Sequence, residues 1–132
     1  MKLPVPVIDD HDTGGFFTAA ARGAIAVSEC AACAAPLHPP RPYCSGCGSG
    51  EVTWRAVRPK ATVYTWTTVE HAVHPAFPTP YTVALVELTD APGVRLLGYF
   101  PGRVDLRPGL PVEACFGDVR DGVVVPNWRL AR

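Results

Sequence analysis

The stretch CAACAAPLHPPRPYCSGC at residues 30–47 contains two Cys-x-x-Cys pairs that are separated by ten residues. The backbone of each pair can turn so that both thiolates face one ion, and two pairs complete the four-sulfur tetrahedron that zinc prefers. Such spacing is a specific signal for so short a motif. The sequence therefore predicts a zinc ribbon with four ligands: Cys30, Cys33, Cys44 and Cys47.

Other uses of these cysteines explain the surrounding sequence less well. Disulfides require an oxidising compartment, and the sequence begins MKLPVP, without the apolar segment of a secretory signal. A thioredoxin-like redox site uses one Cys-x-x-Cys pair at the start of a helix, whereas here two pairs lie among prolines and glycines. Iron in place of zinc stays open, because soft thiolate sites accept both metals.

Composition and charge limit the classes of partner. The 132 residues suit one domain, or a small metal module attached to one compact core, and 48% of them are hydrophobic. Twelve basic residues balance twelve acidic ones, which argues against nucleic acid as the main partner. No apolar run approaches the roughly 20 residues of a membrane span. We expect a soluble, cytoplasmic protein with neither a membrane nor a nucleic-acid partner.

The N-terminal region predicts a tail and one short helix. Residues 1–12 are rich in proline and form an extended tail that either lies on a partner or stays mobile. Asp12 or Thr13 can cap a helix that ends near Gly23. Its apolar residues at helical spacing are Phe16, Phe17, Ala20, Ala21 and Ala24. Two phenylalanines beside small residues suit close docking, on the chain's own domain or on another subunit.

Short strands at residues 25–29 and 51–57 lead into and out of the cysteine pairs. Gly48 follows the second pair, where a ribbon's backbone commonly enters the left-handed region, but Ala34 occupies the matching position after the first pair. The first turn must therefore bend differently or accept a strained residue. His38 lies between the pairs, but four sulfurs already fill a tetrahedron.

Beyond residue 60 the hydrophobic pattern has a period of two, which is typical of strands. Five strands are predicted at residues 61–69, 81–89, 94–100, 111–119 and 123–130. Asp121-Gly122 indicates a hairpin turn, Gly98 a bulge or barrel bend, and Pro126 an edge strand or bulge. Five short strands with irregular connections predict an OB-fold barrel, with an open five-stranded sheet as the alternative.

The predicted fold class is thus mainly β, in three parts. Residues 1–12 form the extended tail, and residues 13–57 form the N-terminal helix and a rubredoxin-like zinc ribbon. Residues 58–132 form a C-terminal five-stranded OB-fold barrel.

In this order, the motifs resemble a family of zinc-ribbon and OB-fold proteins that was long called a domain of unknown function and is now described as acyl-CoA-associated. The resemblance covers about residues 14–130. The matching features are the Phe-Phe helix, the paired cysteine turns, PPRPYC at 39–44, TVYTWT at 62–67, HPAFPTPY at 74–81, VALVEL at 83–88 and the late Asp-Gly hairpin. Together and in order, these features are specific.

The resemblance implies an accessory subunit rather than a self-sufficient enzyme. Members of the family partner thiolase-like proteins, including acetyl-CoA acetyltransferase and 3-hydroxy-3-methylglutaryl-CoA synthase complexes in archaea and aldolases that shorten steroid side chains in actinobacteria. For this chain the resemblance implies a heterotetramer with a thiolase-like partner, structural zinc, and acyl-CoA as a ligand shared with that partner. The complex would be an acyl-CoA aldolase (lyase) or acyltransferase of steroid and lipid degradation.

An independent catalytic site is not predicted. The sequence has no Gly-x-Ser-x-Gly elbow, phosphate-binding loop or dinucleotide-binding glycine pattern. Cys115 lies in the middle of a predicted strand, where a thiol usually behaves as a small buried hydrophobe. We therefore expect no catalytic activity from this chain alone.

Two groups of residues are candidates for contact with the partner or with acyl-CoA. The first is the helix pair Phe16 and Phe17. The second is the loop at residues 71–81, whose prolines stiffen the backbone and so lower the entropic cost of presenting His74, Phe77 and Tyr81. The alternative is that this loop folds Phe77 back over the barrel. Candidate cations for the phosphates of CoA are Arg41, followed by Arg55, Arg58 and Lys60.

A nucleic-acid-binding module is the alternative function, because a zinc ribbon joined to an OB-fold suggests it by architecture alone. Single-stranded nucleic acid needs aromatic platforms in a basic groove. Tyr64, Trp66 and Tyr99 are candidate platforms, but the balanced charge supplies no basic groove.

Overall fold

The computed structural model describes residues 3–132, apart from the side chain of Asp118. Met1 and Lys2, the start of the predicted tail, lie outside the described residues. Within residues 3–132 there are one helix and seven strands: α1 Gly14–Ala21, β1 Ile25–Cys30, β2 Val52–Val57, β3 Lys60–Val69, β4 Tyr81–Leu88, β5 Arg95–Pro101, β6 Pro111–Arg120 and β7 Val123–Leu130. The mainly β fold is confirmed, and the strands end within a residue of their predicted limits.

Helix α1 begins after a turn that a carboxylate organises. Asp10 accepts hydrogen bonds from the backbone N–H groups of Asp12 at 2.8 Å and Thr13 at 2.9 Å. Thr13 is the N-cap residue, as one of the two predictions had it, but its side chain makes no capping bond within the described chain. Asp10, which precedes the helix, therefore fixes the backbone turn that leads into it.

Helix α1 ends at Ala21, so the prediction that it includes Ala24 is wrong. Gly23 adopts a φ of 75°, which only glycine adopts without strain. The N–H groups of Gly23 and Ala24 donate to the carbonyls of Ala20 and Ala19. This is the Schellman arrangement, which satisfies the last carbonyls of a helix and stops it.

The ribbon sheet consists of β1 and β2, paired antiparallel from Ile25 opposite Val57 to Cys30 opposite Val52. Its two ends belong to different cores. Ile25 is buried in the core of the barrel, whereas Cys30 is buried beside the other cysteines. The ribbon hairpin therefore connects the metal site directly to the barrel.

The remaining strands form one antiparallel sheet in the order β5-β4-β3-β6-β7. The two edge strands approach each other, and the amide of Asn127 on β7 joins them. Its Oδ1 accepts from the N–H of Tyr99 at 2.7 Å, and its Nδ2 donates to the carbonyl of Tyr99 at 2.9 Å. The sheet thus curls into the predicted OB-fold barrel, with a side-chain amide bonded across the seam.

The barrel core is built from inward-facing residues of every strand of that sheet. Its largest contributors include Val63, Val86, Leu88, Val112 and Trp128. One polar group, Thr82, is fully buried among them. Its hydroxyl donates to the carbonyl of Gly102 at 2.8 Å and accepts from the N–H of Val104 at 3.2 Å. Because Thr82 is fully hydrogen-bonded, its burial does not weaken the core.

Of the two predictions for Gly98, a bulge or a barrel bend, the bulge is wrong. The β4–β5 ladder passes through Gly98 without a shift in register. A Cβ at this position would lie 3.1 Å from the side chain of Trp128, so glycine makes room for that indole. Register shifts occur instead after Val63 in β3 and near the end of β6.

The other turn and edge predictions of the barrel are confirmed. Asp121 and Gly122 have φ values of 54° and 79°, as a two-residue hairpin turn of type I′ requires. Pro126 lies in β7, which is an edge strand of the sheet.

Candidate metal centre and flanking surface

The four predicted ligands converge on one point. The Sγ atoms of Cys30 and Cys47 are 3.6 Å apart, those of Cys33 and Cys44 are 3.7 Å apart, and all four lie within 4.8 Å of one another. A tetrahedral ion with bonds of about 2.3 Å to sulfur separates its ligands by about 3.8 Å. The four cysteines are free thiols whose arrangement fits a tetrahedral metal ion.

Both cysteine pairs use the same backbone turn. The N–H of Ala34 donates to the carbonyl of Cys30 at 2.9 Å, and the N–H of Gly48 donates to the carbonyl of Cys44 at 2.8 Å. Ala34 has a φ of 62° and Gly48 a φ of 79°. Of the two predicted alternatives for the first turn, the strained residue is therefore the one found.

Backbone N–H groups favour the thiolate form of the first cysteine in each pair. The N–H of Cys33 is the main cause that lowers the pKa of Cys30 to about 7, and the N–H of Cys47 likewise lowers the pKa of Cys44. The turn thus orients each ligand and stabilises its charge at the same time.

The second cysteine of each pair shows why a cation is needed. The N–H of Ala35 lowers the pKa of Cys33, but hydrogen bonds with the neighbouring thiols, Cys30 and Cys44 foremost, outweigh it and raise this pKa to about 11. Four thiolates so close together repel one another. A bound divalent ion removes that repulsion and allows all four to ionise.

His38 connects the ribbon to the barrel instead of binding the metal. Its Nε2 donates to the carbonyl of Arg95, on β5, at 2.9 Å. Because a carbonyl only accepts, Nε2 carries the proton in this bond. The metal cluster itself contains four sulfurs and no imidazole among the residues that the structure describes.

Helix α1 packs on its own chain and still presents its aromatic residues. Ala19 and Ala20 are buried, and a Cβ at Gly15 would lie 2.3 Å from Nε1 of Trp54, so glycine allows the helix to approach β2 closely. Phe16 and Phe17 pack edge to face at 5.3 Å and are only half-buried.

Phe16 and Phe17 separate two depressions. The smaller one, called here the inner cavity, has a volume of about 170 Å³ and lies between α1, β1 and β2. The larger one, called here the aromatic groove, has a volume of about 550 Å³ and runs between α1 and the edge strands β5 and β7. Phe77 also lines the aromatic groove, so residues from two distant predicted segments meet there.

The loop at residues 71–81 packs back against the barrel. Phe77 lies 5.6 Å from the ring of Tyr99 and 6.2 Å from that of Tyr81, while the ring of His74 lies 5.8 Å from Phe77. Nδ1 of His74 accepts from the N–H of Ala76 at 3.0 Å. Tyr81 is buried and His74 half-buried, so both support Phe77, which faces the aromatic groove while half-buried itself.

The candidate cations lie outside the aromatic groove, with different partners. Arg41 is half-buried beside the second cysteine pair, where it donates to Ser45 Oγ at 3.4 Å. Its Nε is buried without a hydrogen-bond partner in the described part of the chain. Lys60 is exposed at the start of β3.

Two other candidate cations are already paired. Arg55 donates to Glu29 at 2.8 Å, and Arg58 makes a two-pronged contact with Asp90 at 2.7 and 2.8 Å. Any phosphate would have to compete with these carboxylates. Arg41 and Lys60 are therefore the candidate cations that have no carboxylate partner among the described residues.

Sequence reasoning missed the cover of the aromatic groove. Leu3, Pro4 and Pro6 of the N-terminal tail line it, and Asn127 joins the barrel edges below it. The alternating prolines indicated an extended tail, but no pattern in the sequence indicated where it lies.

No helix within residues 3–132 is long and apolar enough to cross a membrane.

A four-cysteine ribbon joined to a curled five-stranded sheet defines a zinc-ribbon and OB-fold protein. Residues 17–53 match the family model of the ChsH2 rubredoxin-like zinc ribbon domain, and residues 54–117 match that of the ChsH2 C-terminal OB-fold domain. The chain therefore belongs to the ChsH2 family, as the resemblance in its sequence implied.

Similar proteins agree with this family. A chain of the Ltp2-ChsH2(DUF35) aldolase is 33% identical with a TM-score of 0.84, over 96% of this chain and 98% of that one. A probable enoyl-CoA hydratase alpha subunit from Thermomonospora curvata is 36% identical in an alignment of 132 positions, which covers 97% of this chain and 40% of the relative's length. A DUF35 family protein of unknown function from Sulfolobus solfataricus shares the fold, at 19% identity and a TM-score of 0.56, over 85% of this chain and 82% of that one.

Proposed function

We propose that this chain is a non-catalytic accessory subunit of a thiolase-fold acyl-CoA enzyme, an aldolase (lyase) or thiolase that degrades steroid side chains. The observation that carries the proposal is the match over nearly the whole chain to a subunit of the Ltp2-ChsH2(DUF35) aldolase. The curated relative, a probable enoyl-CoA hydratase subunit, supports a thioester of CoA as the substrate. The proposed assembly is a cytoplasmic heterotetramer with a thiolase-like partner.

The proposed role of the metal is structural. Four sulfurs leave a tetrahedral ion without an open position for water or substrate, so the ion has no site for Lewis-acid chemistry. Structural zinc contributes folding free energy, on the order of 10–16 kcal/mol in peptide models. In this chain that energy would fix the ribbon, against which α1 packs and from which His38 bonds to the barrel.

The proposed contact with the partner is the aromatic groove. Phe16, Phe17 and Phe77 line it as half-buried aromatic rings, and Leu97 at its edge is 67% exposed. Aromatic side chains that are held in place by their own domain are typical interface anchors. His74 and Tyr81 take part indirectly, because they hold Phe77 in position.

The proposed contact with acyl-CoA begins at Arg41. It lies beside the second cysteine pair, and its Nε is buried, so the terminal nitrogens of its guanidinium are the donors offered to a phosphate. These two nitrogens can pair with phosphate oxygens of CoA in two-pronged geometry. We propose that the surface around Arg41 completes the acyl-CoA site of the partner.

Binding of single-stranded nucleic acid receives less support. Six arginines among the described residues pair with carboxylates, which neutralises much of the basic surface: Arg55, Arg58, Arg95, Arg103, Arg120 and Arg129. The guanidinium of Arg95 also covers the ring of Tyr64 at 3.8 Å, so this candidate stacking platform is occupied.

Co-expression with a thiolase-like protein from the same genome tests the proposal. We expect a stable complex on size exclusion, and no shift of single-stranded DNA at physiological salt. In a second step, Phe16→Ala with Phe77→Ala should weaken the complex at least about tenfold, because hot-spot aromatics commonly contribute 2 kcal/mol or more. Trp66→Ala, an exposed aromatic on β3 outside the groove, is the matched control. A DNA shift without complex formation would contradict the proposal.

A further inference from the structure

Ser28, in the middle of β1, is a buried polar residue with an unused hydroxyl. It is 3% exposed, and its Oγ has no hydrogen-bond partner within the described residues. Its backbone carbonyl, in contrast, accepts from the N–H of Leu37 at 2.9 Å. A buried hydroxyl without a partner costs about 1–3 kcal/mol. A hydrogen-bonding group from outside the described residues would remove this cost.

Ser28 lines the inner cavity, which offers room for such a group. The cavity has a volume of about 170 Å³, and its walls are mostly apolar, with Phe16, Phe17, Trp54 and Leu96 among them. Its polar lining consists of Thr13, Ser28 and His38, whose Nε2 already donates to the carbonyl of Arg95, and no Asp, Glu, Lys or Arg of the described residues lines it. Because walls of this kind penalise charge, the cavity suits an uncharged molecule.

The local sequence explains why space remains between α1 and the ribbon. Ser28 pairs with Trp54 across the β1–β2 ladder, so the two side chains share one face, and Ala26 lies two residues away on that face. Gly15 allows α1 to rest on the indole of Trp54. The helix is therefore held above two small residues that leave the space beside the indole unfilled.

We propose that the inner cavity binds an uncharged, ring-sized apolar group carrying one hydroxyl or carbonyl oxygen, which pairs with Ser28 Oγ. An engineered apolar cavity of about 150 Å³ holds benzene, so this cavity holds one ring with a single substituent. The rings of Phe16, Phe17 and Trp54 bury the ligand, and Ser28 sets its orientation. This site requires neither the partner subunit nor the proposed enzyme activity.

Phenol and toluene are suitable probes, because they have nearly the same size and differ in one hydroxyl group. Their dissociation constants are measured by NMR titration of the full, metal-loaded chain. We expect both probes to shift the resonances of β1 and α1. Ser28→Ala should weaken phenol about five- to tenfold, the usual effect of one lost hydrogen bond, and leave toluene unchanged. Thr53→Ala, which removes a hydroxyl from the exposed side of β2, should change neither constant.

A filling variant provides an independent check. Ala26→Leu places side-chain atoms in the cavity and should abolish binding of both probes, and Ala26→Val is a smaller change that should weaken both. Equal loss of phenol and toluene in Ser28→Ala would overturn the proposal. So would a wild-type chain that binds neither probe and holds only ordered water at Ser28 in a crystal structure.

Discussion

The ribbon and the barrel are stabilised in opposite ways. Within residues 3–132 the buried cluster of the ribbon consists of Cys30, Leu37 and Cys44, with Ala35 and Val52 packed against it. The barrel cluster of the same residues has thirteen buried members, including Ile25 and Val27 from the barrel end of β1. A core as small as that of the ribbon cannot offset the entropy of folding without a metal or another cross-link. The metal therefore stabilises one half, and apolar burial stabilises the other.

Helix α1 lies between these two halves and contacts both. It packs against β1 and β2 of the ribbon and against β7 of the barrel. The orientation of Phe16 and Phe17 thus depends on both kinds of stabilisation. Variants that perturb one half at a time show which half determines metal affinity and which determines the free energy of unfolding.

Removal of one metal ligand should have the largest effect. Cys33→Ser leaves three sulfurs, and we expect the metal affinity to fall about 100-fold or more, because each ligand carries a large share of the binding free energy. In NMR spectra the resonances of the cysteine turns and of the adjoining ends of β1 and β2 should lose their dispersion, while those of β3 to β7 keep it. Cys115→Ser, which changes the remaining cysteine on β6, is the control and should retain full metal content. If both sheets unfold in Cys33→Ser, the ribbon and the barrel are not stabilised independently.

A cavity in the barrel should be the next largest perturbation. Leu88 is 1% exposed, and Leu88→Ala should lower the free energy of unfolding by about 2–5 kcal/mol without changing metal content. Denaturant unfolding and metal analysis measure the two quantities. Leu97→Ala, at a position that is 67% exposed, should stay within about 0.5 kcal/mol of the wild type. Loss of metal in Leu88→Ala would show that the halves are not independent.

The two cysteine turns permit a finer test inside the ribbon. Ala34→Gly relieves a left-handed residue of its strain, whereas Gly48→Ala introduces the same strain in the second turn. Each should change the stability of the metal-bound ribbon by about 1 kcal/mol, with opposite signs. Competition with a chelator measures both changes. If both variants destabilise the ribbon equally, Ala34 and Gly48 do not occupy equivalent positions in the two turns.

The junction between the halves should show the smallest effect, which depends on pH. The hydrogen bond from Arg58 is the main cause that lowers the pKa of Asp90 from 3.8 to about 2. A lowered pKa means that the folded state favours the carboxylate. The pair therefore stabilises the fold above about pH 3.8, and this contribution is lost as the pH falls through about 2.

Asp90→Asn removes that contribution. The difference in stability between wild type and variant should be small and constant near neutral pH, and should vanish between about pH 4 and 2. Thermal unfolding of the two proteins at matched pH values measures it. Asp105→Asn, at an exposed position after β5, is the control. A difference that persists unchanged at pH 2 would count against the role of this pair.

Features that depend on local sequence could be predicted. The metal ligands follow from two short motifs, and the strands follow from alternation and turn residues such as Asp121 and Gly122. Errors arose where a distant or competing contact decides the outcome. Ala24 has helical spacing, but Gly23 ends the helix before it. Gly98 has the local character of a bulge, but Trp128, thirty positions later, explains it.

The residues of the aromatic groove could be predicted one by one, but the groove itself could not. Phe16, Phe17 and Phe77 were each identified as contact residues, but their meeting in one groove depends on how α1 docks across the barrel seam. The hydroxyl of Ser28 gave no signal, because serine in a strand is ordinary until its burial and its missing partner are known. Contacts between distant segments are not encoded in any local pattern.

We propose above all that the metal holds the ribbon so that this chain can bind the proposed thiolase-like partner. The most direct test measures the affinity of the partner for the chain with its metal, after chelation, and after zinc is restored. We predict that chelation weakens the complex at least about 100-fold, that restored zinc recovers it, and that acyl-CoA turnover by the complex follows the same course. A metal-free chain with an unfolded ribbon that still binds its partner and supports full turnover would contradict the claim.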